Sequence, residues 1–230
     1  MRRRDLMLAS LAACAAAPAA AVTPGAVVLE LFTSQACSSC PSADALLGKL
    51  VQRPEVIALA WHVDYWNHLG WRDQFASRQA TERQRAYARQ LEAEVFTPAL
   101  VVNGATVVIG SDRAAVEQAI GAVRPLSVAV ALRDTGVDVG TGPGPLRAIS
   151  VLYDPEHATD VVSGENEGAR LREYRIVRRV EVLGEWDGAA RHLAVTPPEP
   201  GRGQVILVQT AELRVVGAVD RAPTGQAKPV

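Results

Sequence analysis

The chain has 230 residues, 48% of them hydrophobic and 21% charged, with 24 Lys and Arg against 25 Asp and Glu for a formal net charge of -1. That balance supplies no basic excess to neutralise phosphates, so nucleic-acid binding is set aside, and the length suits one domain or two small ones. After the N-terminal stretch no apolar run approaches the roughly 20 residues of a spanning helix, so none is expected once that stretch is removed.

Met1-Arg2-Arg3-Arg4-Asp5-Leu6-Met7 and the alanine-rich run up to Val22 have the basic and apolar regions of a secretory signal, placing an export signal peptide over 1–22. Arg3-Arg4-Asp5-Leu6-Met7 also fits a twin-arginine signal. Small residues at Ala19-Ala20-Ala21 offer a cleavage site, and Leu11-Ala12-Ala13-Cys14 offers a competing lipidation site. The apolar stretch before Cys14 is short, which favours soluble release. The expected location is therefore periplasmic or secreted, where disulfides persist, and the mature chain keeps Cys37 and Cys40 as its cysteines.

The next elements follow from period and punctuation. Val27-Val28-Leu29-Glu30-Leu31-Phe32 reads as a strand, and 43–51 as a helix with Ala43, Leu46, Leu47, Leu50 and Val51 on one face. Cys37-Ser38-Ser39-Cys40 lies at the turn between them. A C-x-x-C pair at a strand-to-helix turn is a redox motif: on a helix this spacing brings the two Cα atoms within about 5 to 6 Å, inside the disulfide range. The first sulfur sits among the unpaired N–H groups of the helix start, where a thiolate is favoured. Cys37 is thus the expected nucleophile, partly exposed, and Cys40 the more buried resolving thiol. A structural zinc knuckle lacks a second ligand pair, and a purely structural bridge closing so short a loop removes little entropy from the unfolded chain.

An apolar strand over 56–63, a helix over 77–94, and strands over 99–102 and 106–109 joined across Asn103-Gly104 come next. Ser111 or Asp112 then caps a helix with Ala115, Val116, Ala119, Ile120 and Val123 inward. This order, β-α-β-α-β-β-α, is that of a minimal thioredoxin fold. Phe96-Thr97-Pro98-Ala99-Leu100-Val101-Val102-Asn103-Gly104 resembles the cis-proline loop and hairpin of glutaredoxins and thioredoxins. Leu31-Phe32-Thr33-Ser34-Gln35-Ala36-Cys37-Ser38-Ser39-Cys40-Pro41, Trp61-His62-Val63-Asp64-Tyr65-Trp66, Gly70-Trp71-Arg72-Asp73 and Gly164-Glu165-Asn166 resemble an exported thioredoxin-like bacterial family catalogued as a domain of unknown function. The resemblance implies a cis Thr97-Pro98 bond facing the redox pair, with the Thr97 backbone free to pair with an extended substrate.

Glu30 is the one charge in its strand. Buried without a partner it would be neutral and able to trade a proton near Cys40; thioredoxins carry a buried acid on this strand, offset from the first cysteine by six residues where Glu30 is offset by seven. A carboxylate at the rim or paired with arginine is the competing reading. Trp66 and Trp71, with Trp61 and Tyr65, read either as a substrate-facing apolar wall or as packing for the second helix.

Beyond Arg124-Pro125 only strand-like runs remain, over 127–132, 146–153, 160–162, 174–183, 192–195, 205–209 and 213–219, parted by Gly and Pro turns. The expected architecture is an α/β, thioredoxin-like domain over 26–124, a small antiparallel β-sandwich over 126–220 and a disordered tail over 221–230. The expected function is an exported thiol-disulfide oxidoreductase whose catalytic residues are Cys37, Cys40, Pro98 and Glu30, with Thr97, Trp66 and Trp71 lining the substrate site. It needs no dissociable cofactor and no metal; its partners are a thiol or disulfide substrate, a protein by expectation, and an electron donor or acceptor. Two other classes compete: a copper- or zinc-binding chaperone using Cys37, Cys40 and His62, and a non-catalytic interaction module.

Overall fold

In the computed structural model, which describes residues 26–224, the apolar periods of the first half become β1 (Val27–Thr33), α1 (Pro41–Leu50), β2 (Val56–His62), α2 (Arg78–Gln90), β3 (Ala99–Val102), β4 (Thr106–Ile109) and α3 (Arg113–Ala122). The expected export signal, Cys14 and the end of the expected tail, 225–230, lie outside the described residues. Local chemistry sets the boundaries. Pro41 opens α1, where its missing N–H costs nothing. The Ser77 side chain accepts the Ala80 N–H at 3.1 Å, and Asp112 accepts that of Ala115 at 3.0 Å. Asn103 and Gly104 both take positive φ in the β3–β4 turn, and a Cβ on Gly104 would run into the Leu213–Arg214 backbone.

The second half contains β5 (Val130–Arg133), β6 (Gly136–Val139), β7 (Leu146–Asp160), β8 (Arg170–Trp186), β9 (Arg191–Ala194), β10 (Gly203–Thr210) and β11 (Val215–Arg221). Here the expected thioredoxin-like α/β fold followed by a small sandwich is overturned. The protein is mostly β and 17% helical. Eight strands form one mixed sheet in the order β11-β10-β7-β8-β2-β1-β3-β4, beside a three-stranded sheet β5-β6-β9. The sheet of the first half continues past β2, because β8 runs parallel to it at Ala60 and Ile176.

The reason lies in β7 and β8, 15 and 17 residues long. Asp154-Pro155-Glu156-His157 breaks the apolar run of β7, so sequence alone ends the strand early. Those residues lie in an antiparallel ribbon with β8 that extends beyond β10, whose pairing with β7 stops at Tyr153 and Gly203. A strand flanked on one side tolerates proline and needs no apolar alternation. Gly136–Val139 was missed because a four-residue strand with Gly and Asp carries too weak a pattern.

The core follows the same continuity. Val28, Phe32 and Trp61 from the first half share one buried cluster with Ile149, Val151, Tyr153, Val205 and Leu207 from the second. On the other face of β1, Val27, Leu29 and Leu31 pack with Ala43, Leu46 and Leu47 of α1 and Val116 of α3. The small sheet buries Val130, Val137 and Leu193 against Leu146, Ile206 and Val208.

Candidate functional site

The turn after β1 presents a closed Cys37–Cys40 disulfide with Cα atoms 5.4 Å apart. Cys40 is the N-cap residue of α1 in helical conformation, and its N–H donates to the Cys37 carbonyl at 3.2 Å. Cys40 is fully buried and Cys37 is 4% exposed, less than the partial exposure expected. Thr97 and Ser39 account for the cover: the Thr97 hydroxyl donates to Cys37 Sγ at 3.2 Å, and Ser39 Oγ lies 3.4 Å from the same sulfur. Trp66 Nε1 donates to Thr97 Oγ1 at 2.8 Å, so the hydroxyl accepts from the indole and aims its own hydrogen at sulfur. The Thr97-Pro98 bond is cis, as the resemblance implied, and Gly110 N–H donates to the Pro98 carbonyl at 2.9 Å. Cys37, Cys40, Thr97, Pro98 and Trp66 therefore come together.

A remote segment completes the turn's surroundings. At the tip of the β7–β8 hairpin, Asn166 Nδ2 donates to the carbonyls of Gln35 and Cys37 at 2.9 and 3.1 Å. Glu165 Oε2 accepts the Ser38 N–H at 3.2 Å. Ser163 Oγ donates to the Gly70 carbonyl at 2.6 Å.

Tied to the turn through Gln35 lies a buried ionisable cluster, in which sequence reading singles out His62 and misses Asp44 and Glu173. Asp44, one helical turn after Cys40 and so on the same face of α1, accepts from Thr33 Oγ1 at 3.1 Å. Burial pushes its pKa up to about 7. His62 Nδ1 is 2.7 Å from Asp73 Oδ2, and its Nε2 faces Glu173 Oε1 at 3.9 Å; these two facing atoms have no hydrogen-bond partner. Burial opposes the charge on His62, but Asp73 outweighs it and the pKa is raised. Burial likewise works against ionised Asp73, yet His62 and the Gln35 and Phe75 N–H groups hold it below the usual range. For Glu173 burial prevails and the pKa is raised. Gln35 ties the cluster to the turn, donating to Glu173 and Thr159 at 3.0 Å and accepting from Trp71 Nε1 at 3.0 Å. Trp71 thus braces Gln35 from behind.

Glu30 does not join the site. It alternates with Leu29 and Leu31, so it points to the face of β1 opposite α1. There Arg83 Nε and Nη2 meet its two oxygens at 2.5 and 2.9 Å, and Tyr87 donates at 2.5 Å. The carboxylate is arginine-paired, and Asp44 occupies the place beside Cys40 that Glu30 was expected to fill. One signal in the sequence could have found Asp44: it is the lone acid in the apolar stripe of α1, four residues after Cys40. Glu165 and Asn166 stand in a motif of the family resemblance that says nothing of their contacts, and Glu173 carries no local signal. Among the described residues no group of three or more His, Cys, Asp or Glu is placed to hold a metal ion, and no helix is long and apolar enough to cross a membrane.

Comparison with known proteins bears on this arrangement at two levels. A family model described as "Protein of unknown function (DUF1223)" matches residues 28–209. The crystal structure of a protein from Agrobacterium tumefaciens is similar at 31% sequence identity and a TM-score of 0.72, covering 89% of this chain and 97% of that one. HBP35 of Porphyromonas gingivalis is similar in fold alone, at 14% identity and a TM-score of 0.53 over 89% of this chain and 79% of that one. The curated proteins give no match.

Proposed function

The chain belongs to this family of unknown function, and we propose that it is an exported thiol-disulfide oxidoreductase in which Cys37 attacks and Cys40 resolves. The observation that carries the reading is the contact between Cys37 Sγ and the Thr97 hydroxyl, 3.2 Å, on the loop containing the cis proline. A bridge serving stability alone has no use for a donor aimed at one of its sulfurs. When the bond opens, that hydroxyl favours negative charge on Cys37.

In the oxidising direction the Cys37–Cys40 disulfide is attacked at Cys37 by a substrate thiolate. A substrate–Cys37 bond forms, the Cys37–Cys40 bond breaks, and Cys40 leaves as a thiolate that takes a proton. A second substrate thiolate then displaces Cys37, oxidising the substrate and leaving the protein a dithiol. In the reducing direction the Cys37 thiolate attacks a substrate disulfide and expels one substrate thiolate. Cys40 gives up its proton, attacks Cys37 and expels the other. Both directions move a proton on Cys40, and Asp44 is the group placed for it: buried, one turn away, with a pKa pushed up to about 7. Export, expected from residues 1–22, would put the pair where disulfides persist.

The test is rapid mixing of the fully reduced protein with a chromogenic aryl disulfide. Cys37 attack and Cys40 resolution should release two aryl thiolates in sequence, and Asp44→Asn should slow the second release at least about tenfold while leaving the first. A first release no faster than that of a free thiol of ordinary pKa would overturn the reading.

A further inference from the structure

The motif Gly164-Glu165-Asn166 has no part in the chemistry above, yet the fold spends the long β7–β8 ribbon on bringing it to the redox turn. The grip is on a single peptide unit. Asn166 Nδ2 holds the Cys37 carbonyl, and Glu165 holds the N–H of the next residue, Ser38. The tip itself is tied down: Glu167 N–H donates to the Gly164 carbonyl at 3.1 Å, Gly168 N–H to Val161 at 2.8 Å and Ala169 N–H to Asn166 at 3.0 Å. Gly164 has φ +82° and sits so close to Leu69 and Trp71 that a Cβ would lie 3.0 Å from both. A loop fixed this way delivers its two side chains to a set place.

The Ser38 N–H follows Cys37 in the turn, two residues before Cys40, the N-cap of α1, and a free donor so near the sulfur would favour a thiolate. Glu165 takes that donor and puts a negative charge one residue from Cys37. The other ionisable groups nearby, Asp44 on α1, His62 on β2, Asp73 in the following loop and Glu173 on β8, lie in the buried cluster behind Gln35. Trp66 and Thr97, on the remaining side, are neutral. We propose that the hairpin tip is a positioning device for the redox pair, in which Asn166 fixes the Cys37–Ser38 peptide and the Glu165 carboxylate restrains Cys37 from ionising, so that the dithiol is less favoured and the protein is the stronger reductant. This rests on the oxidoreductase reading.

Glu165→Gln keeps an oxygen for the Ser38 N–H and removes the charge; Glu165→Lys reverses it. The pH midpoint of Cys37 alkylation in the reduced protein should fall by about half a unit or more in Glu165→Gln and further in Glu165→Lys, with smaller shifts at high salt. The equilibrium with glutathione should move about threefold toward the dithiol in Glu165→Gln. Unchanged or raised midpoints in both variants overturn the assignment. The readouts fail separately: a wild-type protein that forms no mixed disulfide with glutathione sinks the oxidoreductase reading, while the alkylation midpoint still judges Glu165.

Discussion

Asp44 and Glu30 show how one register position decides what a buried acid does. Both are shielded from solvent. Glu30 is held by the arginine and tyrosine side chains of Arg83 and Tyr87, whereas Asp44 has one hydroxyl and three ionisable neighbours. A carboxyl whose folded pKa exceeds its unfolded value binds more protons folded than unfolded, so it costs stability as pH rises between the two values. For Asp44 that window runs from the ordinary carboxylate value, 3.8, to about 7. Asp44→Asn should therefore gain stability relative to the wild type as pH rises from 5 to 8 in urea titrations; a difference flat with pH would count against a raised pKa. Arg83→Ala should act oppositely: it strands a buried carboxylate and should destabilise by about 3 to 5 kcal/mol, leaving Cys37 alkylation unchanged. A shift in that alkylation would show that Glu30 communicates with the disulfide after all.

At the scale of elements, α1 and the β3–β4 hairpin were legible because their signals are local. Apolar residues every third or fourth place and Asn-Gly at the turn each act within a few residues, although the expected start of the helix at residue 43 lies two residues late, since α1 opens at Pro41. The proximity of Cys37 and Cys40 and the cis Thr97-Pro98 bond also rest on short segments, a sequence separation of 3 and a single X-Pro bond. What was not legible is the β7–β8 ribbon, whose polar outer stretch is held by backbone pairing from Thr159 with Leu171 to Asp154 with Ile176, and pairing of that kind leaves no apolar pattern to read. Its tip residues Glu165 and Asn166 touch a turn about 130 positions away in sequence, a relation no window of residues contains. Removing the Asn166 amide by Asn166→Leu leaves the Gln35 and Cys37 carbonyls unpaired on that side. Protease nicking within 34–39 should become faster in that variant; unchanged protection would mean that the turn holds its shape without the hairpin.

For the whole molecule, the shared core argues against two halves that fold alone. Phe32 and Trp61 pack in one cluster with Tyr153 and Leu207. Arg175 donates to the Ala58 carbonyl at 3.0 Å and stacks over Tyr153, its charge meeting Asp220 at 2.5 Å, so the side chain stitches β2 to the far strands. Tryptophan fluorescence and far-ultraviolet dichroism should report one coincident urea transition, whereas two separated transitions would divide the molecule. That continuity also assembles the buried cluster from β1, α1, β2 and β8.

The central claim is that the two cysteines have unequal roles, and trapping measures this most directly. With Cys40→Ser the proposed attacking thiol remains and nothing resolves the intermediate, so the variant expressed in a periplasm and run on non-reducing gels should carry a mixed disulfide that reductant removes. Cys37→Ser, which leaves the buried Cys40 as the one thiol of the pair, should trap little. Equal trapping by both variants, or none by either while the wild type exchanges disulfides, would contradict the account.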